Sequence, residues 1–353
     1  MGWLRKKKKK KPKSDVVSES GAQLLEDLIE CCDGKSNPIK FFSANEIRKA
    51  TNNFSYSNFV HELAYYYVWY SGKNENHPMI LIKKSGELGE DLLCRDIAVS
   101  SMVSGHKNFL KLVGCCLESE DPAMVYNGVK KHYQLEISEQ PWKRRMKIAE
   151  DIATALAYLH TAFPRPFVYR SLSLRKILLD EDGVAKLNDF SYCVSIPEGE
   201  TFVKVDEKAH GFYSYLDDNY KSGGVVSEKT DVFAFGMFMG LTLLLGNRSI
   251  EEEEEESQGG GSNTDYDFDS MRKRLAQNVM SKLKEDRRME EIADPKMIEK
   301  MGQISEQELC QMEAFRILSL RCIGPREEVP TMVEVAKELK KIQTSLYNDS
   351  SSP

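Results

Sequence analysis

The sequence predicts an α+β protein in two lobes, a β-rich N-terminal lobe followed by a mainly helical C-terminal lobe. Residues 59–70 and 79–83 are rich in β-branched and aromatic side chains and are separated by a polar turn, which predicts two antiparallel strands. An apolar stripe at helical spacing appears later in the chain and comprises Ile148, Ile152, Ala155, Leu156 and Leu159. With 353 residues, 41% of them hydrophobic, the chain can bury a substantial core.

Local signals predict the elements of the N-terminal lobe. Residues 1–40 are expected to form a basic, largely disordered tail with a short amphipathic helix at 23–29. Ser43 followed by Glu46 is a capping-box pattern that predicts the start of a helix over 44–51. A helix at 91–103 and strands at 109–116 and 123–126 complete the predicted N-terminal lobe, residues 41–128.

Residues 129–347 form the predicted C-terminal lobe. The uncharged run at 232–247 falls short of the roughly 18 apolar residues that cross a bilayer, so it is interpreted as a buried core helix. Residues 251–263 are an acidic, glycine-containing insertion, interpreted as a solvated loop. Later helices are predicted at 275–284, 309–322 and 333–347, and residues 348–353 as a disordered tail.

The net charge of −6 conceals a strongly basic start, because Arg5, lysines 6–11 and Lys13 lie within the first thirteen residues. This run suits an anionic membrane surface, which would place a cytoplasmic protein at the inner face of the plasma membrane. A nuclear-import signal and a merely disordered run stay open as alternatives. The acidic body offers no second basic face, so nucleic-acid binding is not expected.

The cysteines indicate a reducing compartment and no structural metal, because the eight of them include no CxxC motif and no cluster with histidine. Met1-Gly2 begins like a myristoylation site, but Lys6 stands where that motif requires Ser or Thr. Acylation of Gly2, and of Cys31 or Cys32, stays open.

Four motifs occur in a fixed order along the chain. They resemble the V-A-I-K, H-R-D and D-F-G motifs of protein kinases and the helix that follows them. In this sequence they read Ile80-Leu81-Ile82-Lys83, Tyr169-Arg170-Ser171, Asp189-Phe190-Ser191 and Asp231-Val232-Phe233-Ala234-Phe235-Gly236.

Longer segments resemble plant receptor-like cytoplasmic kinases over about residues 41–345. The resemblance lies in residues 42–54, 112–117, 149–160, 177–180 and 227–236. Together with the altered motifs, it is similar to the pseudokinase branch related to the HopZ-effector recognition adaptor.

The resemblance implies a two-lobed protein-kinase-like fold and a weak or vestigial ATP site formed by Lys83, Asp96, Tyr126 and Asp189. Lys83 would hold nucleotide phosphates and pair with Asp96, while Asp189 is the one carboxylate that could hold a weakly bound Mg²⁺. The three glycines of the phosphate-covering loop are absent. Counted back from Val68, their positions are His61, Leu63 and Tyr66.

The catalytic loop departs further from the kinase pattern. Ser171 replaces the aspartate that acts as base, and loss of a general base lowers the rate by about 10²- to 10⁴-fold. Ser173 stands in place of a lysine. Lys176 replaces the asparagine that holds the second magnesium, which puts a cation where a cation should bind. No catalytic residue, no required cofactor and no metal site are therefore expected.

A structural ion pair of kinases is also missing from its expected positions. Asn219 stands in the glutamate position of the A-P-E motif, and Val329 in that of its arginine partner. Joint loss avoids an unpaired buried charge and indicates a fold that is kept while catalysis decays. Arg170 and Asp231 are interpreted as hydrogen-bonding scaffold residues.

The implied function is that of an adaptor in plant innate immunity. It would link a coiled-coil leucine-rich-repeat (NLR) immune receptor to effector-targeted receptor-like cytoplasmic kinases or to pathogen effectors. Residues 195–220, with Thr201, Tyr213 and Tyr215, are the expected docking segment. The alternative is a low-activity serine/threonine protein kinase that uses ATP through Lys83 and Asp189.

Overall fold

The computed structural model describes residues 13–32, 34, 37–60, 67–75, 79–85, 90–118, 122–128, 133–135, 137–205, 215–246, 277 and 280–344. The chain divides into two compact units. The first comprises Met1–Gly105 and Leu110–Lys130, and the second comprises His106–Phe109 and Lys131–Pro353. The first is built around a sheet and the second is mainly helical, so the predicted α+β fold class is confirmed.

The first unit contains a five-stranded sheet in the order β1-β4-β5-β3-β2. Its strands are β1 (Lys40–Phe41), β2 (Tyr67–Gly72), β3 (Ile80–Ser85), β4 (Leu112–Cys116) and β5 (Ala123–Asn127). Neighbours are antiparallel except for β1 and β4, which are parallel. Here β4 requires Gly114, because a Cβ atom at this position would collide with the carbonyl oxygen of Lys40.

Three α-helices accompany the sheet: α1 (Lys13–Cys32), α2 (Ala44–Ala50) and α3 (Glu90–Val103), with a 3-10 turn at Tyr56–Asn58. The predicted capping box of α2 is confirmed, since Ser43 and Glu46 bond reciprocally through side chain and backbone. The predicted helix at 91–103 corresponds to α3. The predicted strands at 59–70 and 79–83 correspond to β2 and β3, but β2 begins only at Tyr67, and residues 61–66 of the first prediction lie outside the described residues.

The expectation of a largely disordered tail over residues 1–40 is wrong for α1. This helix packs on α3, and its Leu24 and Cys32 are buried. Arg95 of α3 donates hydrogen bonds to Asp27 at 3.1 Å and to Glu30 at 2.8 Å. Composition could not reveal this contact, because the partner lies 68 positions away in sequence. Residues 1–12, with most of the basic run, lie outside the described residues, as does the side chain of Cys31.

The second unit contains the helices α4 (Trp142–Thr161), α5 (Asp218–Gly223) and α6 (Glu228–Met237). Its later helices are Met289–Ile292, Pro295–Met301, Glu306–Cys322 and Met332–Thr344, and residues 280–284 are also helical. Short 3-10 helices occur at Ile137–Glu139 and Leu174–Lys176. Its strands are β6 (Tyr133–Gln134), β7 (Phe167–Val168), β8 (Ile177–Leu179), β9 (Ala185–Leu187), β10 (Val194–Ser195), β11 (Val203–Lys204) and β12 (Val225–Val226).

The core of the second unit lies around α4 and α6. All five residues of the predicted apolar stripe on α4 are fully buried. The predicted core helix at 232–247 is confirmed as buried, but α6 changes into a π-helix at Phe238–Leu244, which the periodicity did not indicate. Among the described residues, no helix is long and apolar enough to cross a membrane. The predicted insertion at 251–263 and the tail at 348–353 lie outside the described residues.

Candidate functional site

In the first unit, the predicted pair between Lys83 and Asp96 forms. The Lys83 ammonium lies 2.6 Å from Asp96 Oδ2, and both side chains are completely buried. Ser100, one turn further along α3, donates a hydrogen bond to Asp96 Oδ1 at 3.0 Å. Both carboxylate oxygens therefore have partners within this unit, and sequence reasoning did not identify Ser100.

Aromatic rings cover the Lys83 ammonium on the same face of the sheet. Its Nζ atom lies 3.5 Å from the centre of the Tyr67 ring and 5.9 Å from that of Trp69. Both distances lie within the range of cation–π attraction. Tyr67 is itself buried, with 8% of its surface exposed. A phosphate that approached the ammonium along this face of β2 would have to displace the Tyr67 ring.

The register of β2 against β3 shows on which face of the sheet Val68 and its neighbours lie. Val68 pairs with Lys84, whereas Trp69 pairs with Lys83 and Tyr67 with Ser85. Residues directly opposite each other share one face of a sheet, so Trp69 and Tyr67 lie on the Lys83 face and Val68 on the other. His61, Leu63 and Tyr66 lie outside the described residues.

Tyr126 belongs to the same aromatic group. Its ring stacks on Trp69 with centroids 5.7 Å apart, and its hydroxyl donates to the Met124 sulfur at 3.4 Å. Only 1% of Tyr126 is exposed. The face of the sheet that would receive a nucleotide in the expected ATP site is thus packed with the chain's own side chains.

In the second unit, Lys176 contacts both Ser171, which stands at the position of the catalytic base, and the retained carboxylate of Asp189. Its ammonium donates a hydrogen bond to Ser171 Oγ at 2.7 Å and forms an ion pair with Asp189 Oδ2 at 3.0 Å. The other carboxylate oxygen, Asp189 Oδ1, accepts a hydrogen bond from Ser191 Oγ at 2.6 Å. Ser173 caps the 3-10 helix Leu174–Lys176 by accepting from the Arg175 backbone, which is a structural contact.

This arrangement is unfavourable for a divalent cation. Mg²⁺ requires oxygen ligands at about 2.0–2.1 Å in octahedral geometry, whereas an ammonium already occupies one side of Asp189. A second cation there would meet like-charge repulsion with limited solvent screening, since Asp189 is 6% exposed. Within the described ranges, no group of three or more His, Cys, Asp and Glu residues could hold a metal ion.

The backbone of the site is nevertheless kept in a constrained form. Arg170 and Asp189 have φ angles of 67° and 66°, in the left-handed region that costs a non-glycine residue about 1–2 kcal/mol. Asp231 accepts from the backbone N–H groups of Tyr169 and Arg170 at 2.7 and 2.8 Å, and contacts His160 Nε2 at 2.9 Å. The scaffold interpretation of Asp231 is confirmed.

Arg170 is held by the hydroxyl group of a buried tyrosine. Its Nη2 and Nε atoms donate to the Tyr220 hydroxyl at 2.6 and 3.1 Å, and Nη1 donates to the Tyr192 carbonyl at 3.0 Å. The scaffold interpretation of Arg170 is therefore confirmed as well. Tyr220 was missed, because nothing in its local sequence indicates a partner 50 positions earlier.

A replacement ion pair compensates for the loss at Asn219 and Val329. Arg326 Nη1 lies 3.2 Å from Asp217 Oδ1, and Arg326 Nη2 donates to Ser227 Oγ at 2.5 Å. Both partners are displaced along the chain from the kinase positions, each by a few residues towards the N-terminus. Counting motif positions alone could not find this pair.

The expected docking segment is only partly exposed. Tyr215 is 2% exposed and its hydroxyl bonds to that of Thr242, so Tyr215 is not available for modification in this conformation. Thr201 is exposed, and Phe202 is 47% exposed. Tyr213 lies outside the described residues.

Comparison with known proteins identifies the family to which this chain is similar. Residues 64–322 match the model of the family "Protein tyrosine and serine/threonine kinase". A relative from Arabidopsis thaliana named as a probable inactive receptor-like protein kinase is 74% identical, over 100% of this chain and 94% of its own length.

Two further Arabidopsis thaliana relatives differ in their names. The non-functional pseudokinase ZRK15 is 52% identical, over 95% of this chain and 92% of its own, and the serine/threonine-protein kinase ZRK4 is 43% identical, over 97% of each. The catalytic loop described above fits the inactive members. The chain therefore belongs to the protein tyrosine and serine/threonine kinase family, in the pseudokinase branch of its plant receptor-like ZRK members.

Proposed function

We propose that this pseudokinase is an adaptor in plant innate immunity that links a coiled-coil leucine-rich-repeat immune receptor to effector-targeted receptor-like cytoplasmic kinases or to pathogen effectors. The observation that carries the proposal is the Lys176 ammonium between Ser171 and Asp189. Two positions that phosphoryl transfer needs, the base and the metal ligand, are tied together in an internal contact. The immune pathway itself rests on the family resemblance.

In this proposal the adaptor functions without nucleotide. The Tyr67 ring covers Lys83, and Lys176 supplies near Asp189 the positive charge that a metal would bring. We expect millimolar ATP with magnesium to leave the melting temperature unchanged and to support no phosphate transfer to a protein substrate. Melting curves and a radiolabelled transfer assay on the same sample measure both.

Tyr67→Ala tests the cause of nucleotide exclusion, with Tyr70→Ala as its matched control on the opposite face of β2. In a Lys176→Asn background, in which Asp189 is free for magnesium, removing the Tyr67 ring should permit ATP binding at Lys83, whereas removing that of Tyr70 should not. If wild-type protein already shows a clear ATP-dependent rise in melting temperature, nucleotide independence is wrong.

Partner binding is the direct test of the adaptor function. Phe202 is exposed in the expected docking segment, and Tyr56 is 77% exposed in the first unit. Phe202→Asp should weaken binding to a purified receptor repeat domain or to a partner kinase, while Tyr56→Asp should not, and both should keep the wild-type melting temperature. Unchanged binding by Phe202→Asp would remove this segment from the interface.

Three observations favour a second candidate, a low-activity serine/threonine kinase. The Lys83–Asp96 pair is formed, Asp189 is retained, and the relative ZRK4 is named as a kinase. This candidate requires phosphate transfer that Lys83→Ala abolishes. Transfer that persists in Lys83→Ala would instead come from a contaminating kinase.

The basic run at the start of the chain supports a peripheral location of the protein at the inner face of the plasma membrane. Arg5, lysines 6–11 and Lys13 together contribute about 1 kcal/mol for each basic residue near an anionic surface. Flotation should recover the protein with phosphatidylserine vesicles and not with neutral phosphatidylcholine vesicles. Replacement of lysines 6–11 by glutamine should abolish recovery, and equal binding to both vesicles would contradict the electrostatic mechanism.

A further inference from the structure

The second unit contains a cavity of about 620 Å³ that no catalytic residue lines. It lies among α5, α6, the helical residues 280–284 and the loop after the helix Glu306–Cys322. Its volume falls within the range of roughly 300–1,000 Å³ that is typical of small-molecule sites. Asn219 and Val329, which replace a kinase ion pair, both line it, so part of the space is where those longer side chains would have been.

One wall of the cavity is apolar. It is formed by Phe233, Met237, Met280, Cys322 and Ile323. Burial raises the pKa of the Cys322 thiol to about 12, so this side chain stays neutral and contributes no charge. The apolar wall is suited to an aromatic or aliphatic group.

The charged side chains of the lining are mainly basic. Lys221, Lys229, Lys284 and Arg326 are opposed by Asp217 and Asp218. Asp217 is paired with Arg326 at 3.2 Å and Asp218 with Lys221 at 3.8 Å, which leaves Lys229 and Lys284 without a carboxylate partner among the described lining residues. The cavity therefore has a net positive potential that favours an anionic ligand.

Arg326 has hydrogen-bonding capacity left for such an anion. Its guanidinium has five N–H groups, and two of them donate, to Asp217 and to Ser227. Among the described residues, the other three have no acceptor. A carboxylate can accept two parallel bonds from a guanidinium, which is stronger and more directional than a contact with lysine.

One acceptor in the wall also has no donor within the described part of the chain. Asp217 Oδ1 accepts from Arg326 and from the backbone of α5, whereas the buried Asp217 Oδ2 accepts no hydrogen bond. A buried polar atom without a partner costs about 1–3 kcal/mol. Because Oδ2 has no contact with solvent, a ligand N–H group beside a carboxylate supplies the missing donor only when the Asp217 side chain rotates towards the cavity.

We propose that this cavity is a binding site for an amphipathic carboxylate that carries an apolar side chain and an adjacent amide N–H. An N-acylated apolar amino acid has this chemistry, and so does the C-terminus of a polypeptide that ends in an apolar residue. The carboxylate binds Arg326 and Lys284, and the apolar group packs on Phe233 and Met280. This site is separate from the expected nucleotide-binding residues, whereas Asp217, Asp218 and Asn219 in its wall belong to the expected docking segment, residues 195–220.

Isothermal titration of the full-length protein with N-acetyl-L-phenylalanine tests the site. For about 15 non-hydrogen atoms we expect a Kd of roughly 0.1–1 mM. N-acetyl-L-phenylalanine amide has the same ring and N–H but no charge, and it should bind at least about tenfold more weakly. Equal binding of the acid and the amide, or no binding of the acid, overturns the proposal.

Charge reversal at the cavity provides the matched variants. Lys284 is exposed and lines the cavity, whereas Lys282 is also exposed and does not line it. Lys284→Glu should weaken binding of the acid by about five- to tenfold, since reversal replaces an attraction with a repulsion. Lys282→Glu should leave it unchanged. The same Kd for both variants would overturn the assignment to this cavity.

A third variant tests the location of the site, and a longer ligand tests whether the natural ligand is a polypeptide C-terminus or a small molecule. Val329→Phe places a larger side chain in the lining and should weaken binding of the acid without lowering the melting temperature, and unchanged affinity contradicts the site. A tripeptide that ends in phenylalanine should bind more tightly than the acetylated amino acid if the ligand is a polypeptide C-terminus, and more weakly if it is a small molecule. Either result supports the chemistry of the site.

Discussion

Lys176 shows how one substitution can affect two metal-binding positions, since it replaces a magnesium-binding asparagine and pairs with the carboxylate of Asp189. A kinase places an uncharged asparagine here, which leaves the neighbouring carboxylate free for magnesium. The lysine side chain reaches both Ser171 and Asp189, so the base position and the metal-binding carboxylate become partners of one ammonium. The fold loses little by this change, because the ammonium pairs with a carboxylate that would otherwise be buried without a counter-charge.

Lys176→Asn should restore a metal ligand. Removal of the ammonium frees Asp189 Oδ2, and we expect Mn²⁺ binding in the variant that wild-type protein lacks, measured by electron paramagnetic resonance. Lys176→Arg keeps a cation at this position and is the control that should bind no Mn²⁺. Equal Mn²⁺ binding by wild-type protein and Lys176→Asn would show that Lys176 does not block the site.

Lys83→Met should show that the buried pair is structural. It leaves Asp96 without its counter-ion, which should lower the free energy of unfolding by about 3–5 kcal/mol. The double variant Lys83→Met/Asp96→Asn removes the unpaired charge, while the oxygen of the introduced amide can still accept from Ser100, and should recover more than half of the loss. Urea denaturation measures both, and a cost below about 1 kcal/mol for Lys83→Met would mean that the pair does not stabilise the fold.

The helix α1 shows how a single element depends on its tertiary contacts. In proteins, most of the stability of a helix comes from tertiary packing of its apolar face and not from intrinsic propensity. Packing on α3 buries Leu24 and Cys32 and pairs Arg95 with two carboxylates. The helix therefore depends on a tertiary partner, and α1 should fray when that contact is weakened.

The Arg95–Asp27 contact should be pH-dependent. Burial raises the pKa of Asp27, and Arg95 acts in the opposite direction. A raised folded-state pKa means that the contribution of Asp27 to stability is fully present at low pH and is lost as the pH rises through that pKa. Arg95→Met leaves the ionised carboxylate unpaired, so its destabilisation should be larger at about pH 7.5 than at about pH 4.5.

Urea unfolding at the two pH values measures this difference. The control is Arg95→Met/Asp27→Asn/Glu30→Gln, which lacks both carboxylate partners of Arg95 and should show the same destabilisation at both pH values. A pH-independent cost for Arg95→Met alone would indicate that Arg95 stabilises α1 through packing and not through charge.

In the whole molecule, the changes that disfavour nucleotide and metal binding occur in both units. The first unit covers its lysine with Tyr67, and the second unit neutralises Asp189 with Lys176. Residues that act as a catalytic unit are strongly non-additive, so repair of one position cannot restore the others.

ATP binding should therefore be restored only when the substitutions in both units are combined. We expect Tyr67→Gly and Lys176→Asn each to give no ATP- and magnesium-dependent rise in melting temperature, and the two together to give one. Adding Lys83→Ala to the pair should abolish the rise. A rise in either single variant would mean that the obstruction left in that variant does not suffice to exclude the nucleotide.

Most of the fold could be predicted from local signals. The capping box at Ser43, the apolar stripe of α4 and the buried run after Asp231 all correspond to elements in the structure, because each depends on residues close in sequence. The structure places Val68 on the face of β2 opposite to Lys83, whereas the glycine positions counted back from Val68 stay a prediction, because His61, Leu63 and Tyr66 lie outside the described residues. Side chains on a strand alternate faces, and the long aromatic run gave no clear period of two.

The sequence by itself determined the family, the two-lobed order of strands and helices, and the loss of the catalytic base, since these depend on residue identity at ordered motif positions. Only the tertiary structure decided what replaced the lost groups. Tyr67 over Lys83, Lys176 on Asp189 and Arg326 on Asp217 join residues that are far apart in sequence, by 109 positions in the last case. Such contacts depend on how elements pack, and several placements of each side chain are compatible with the same local sequence.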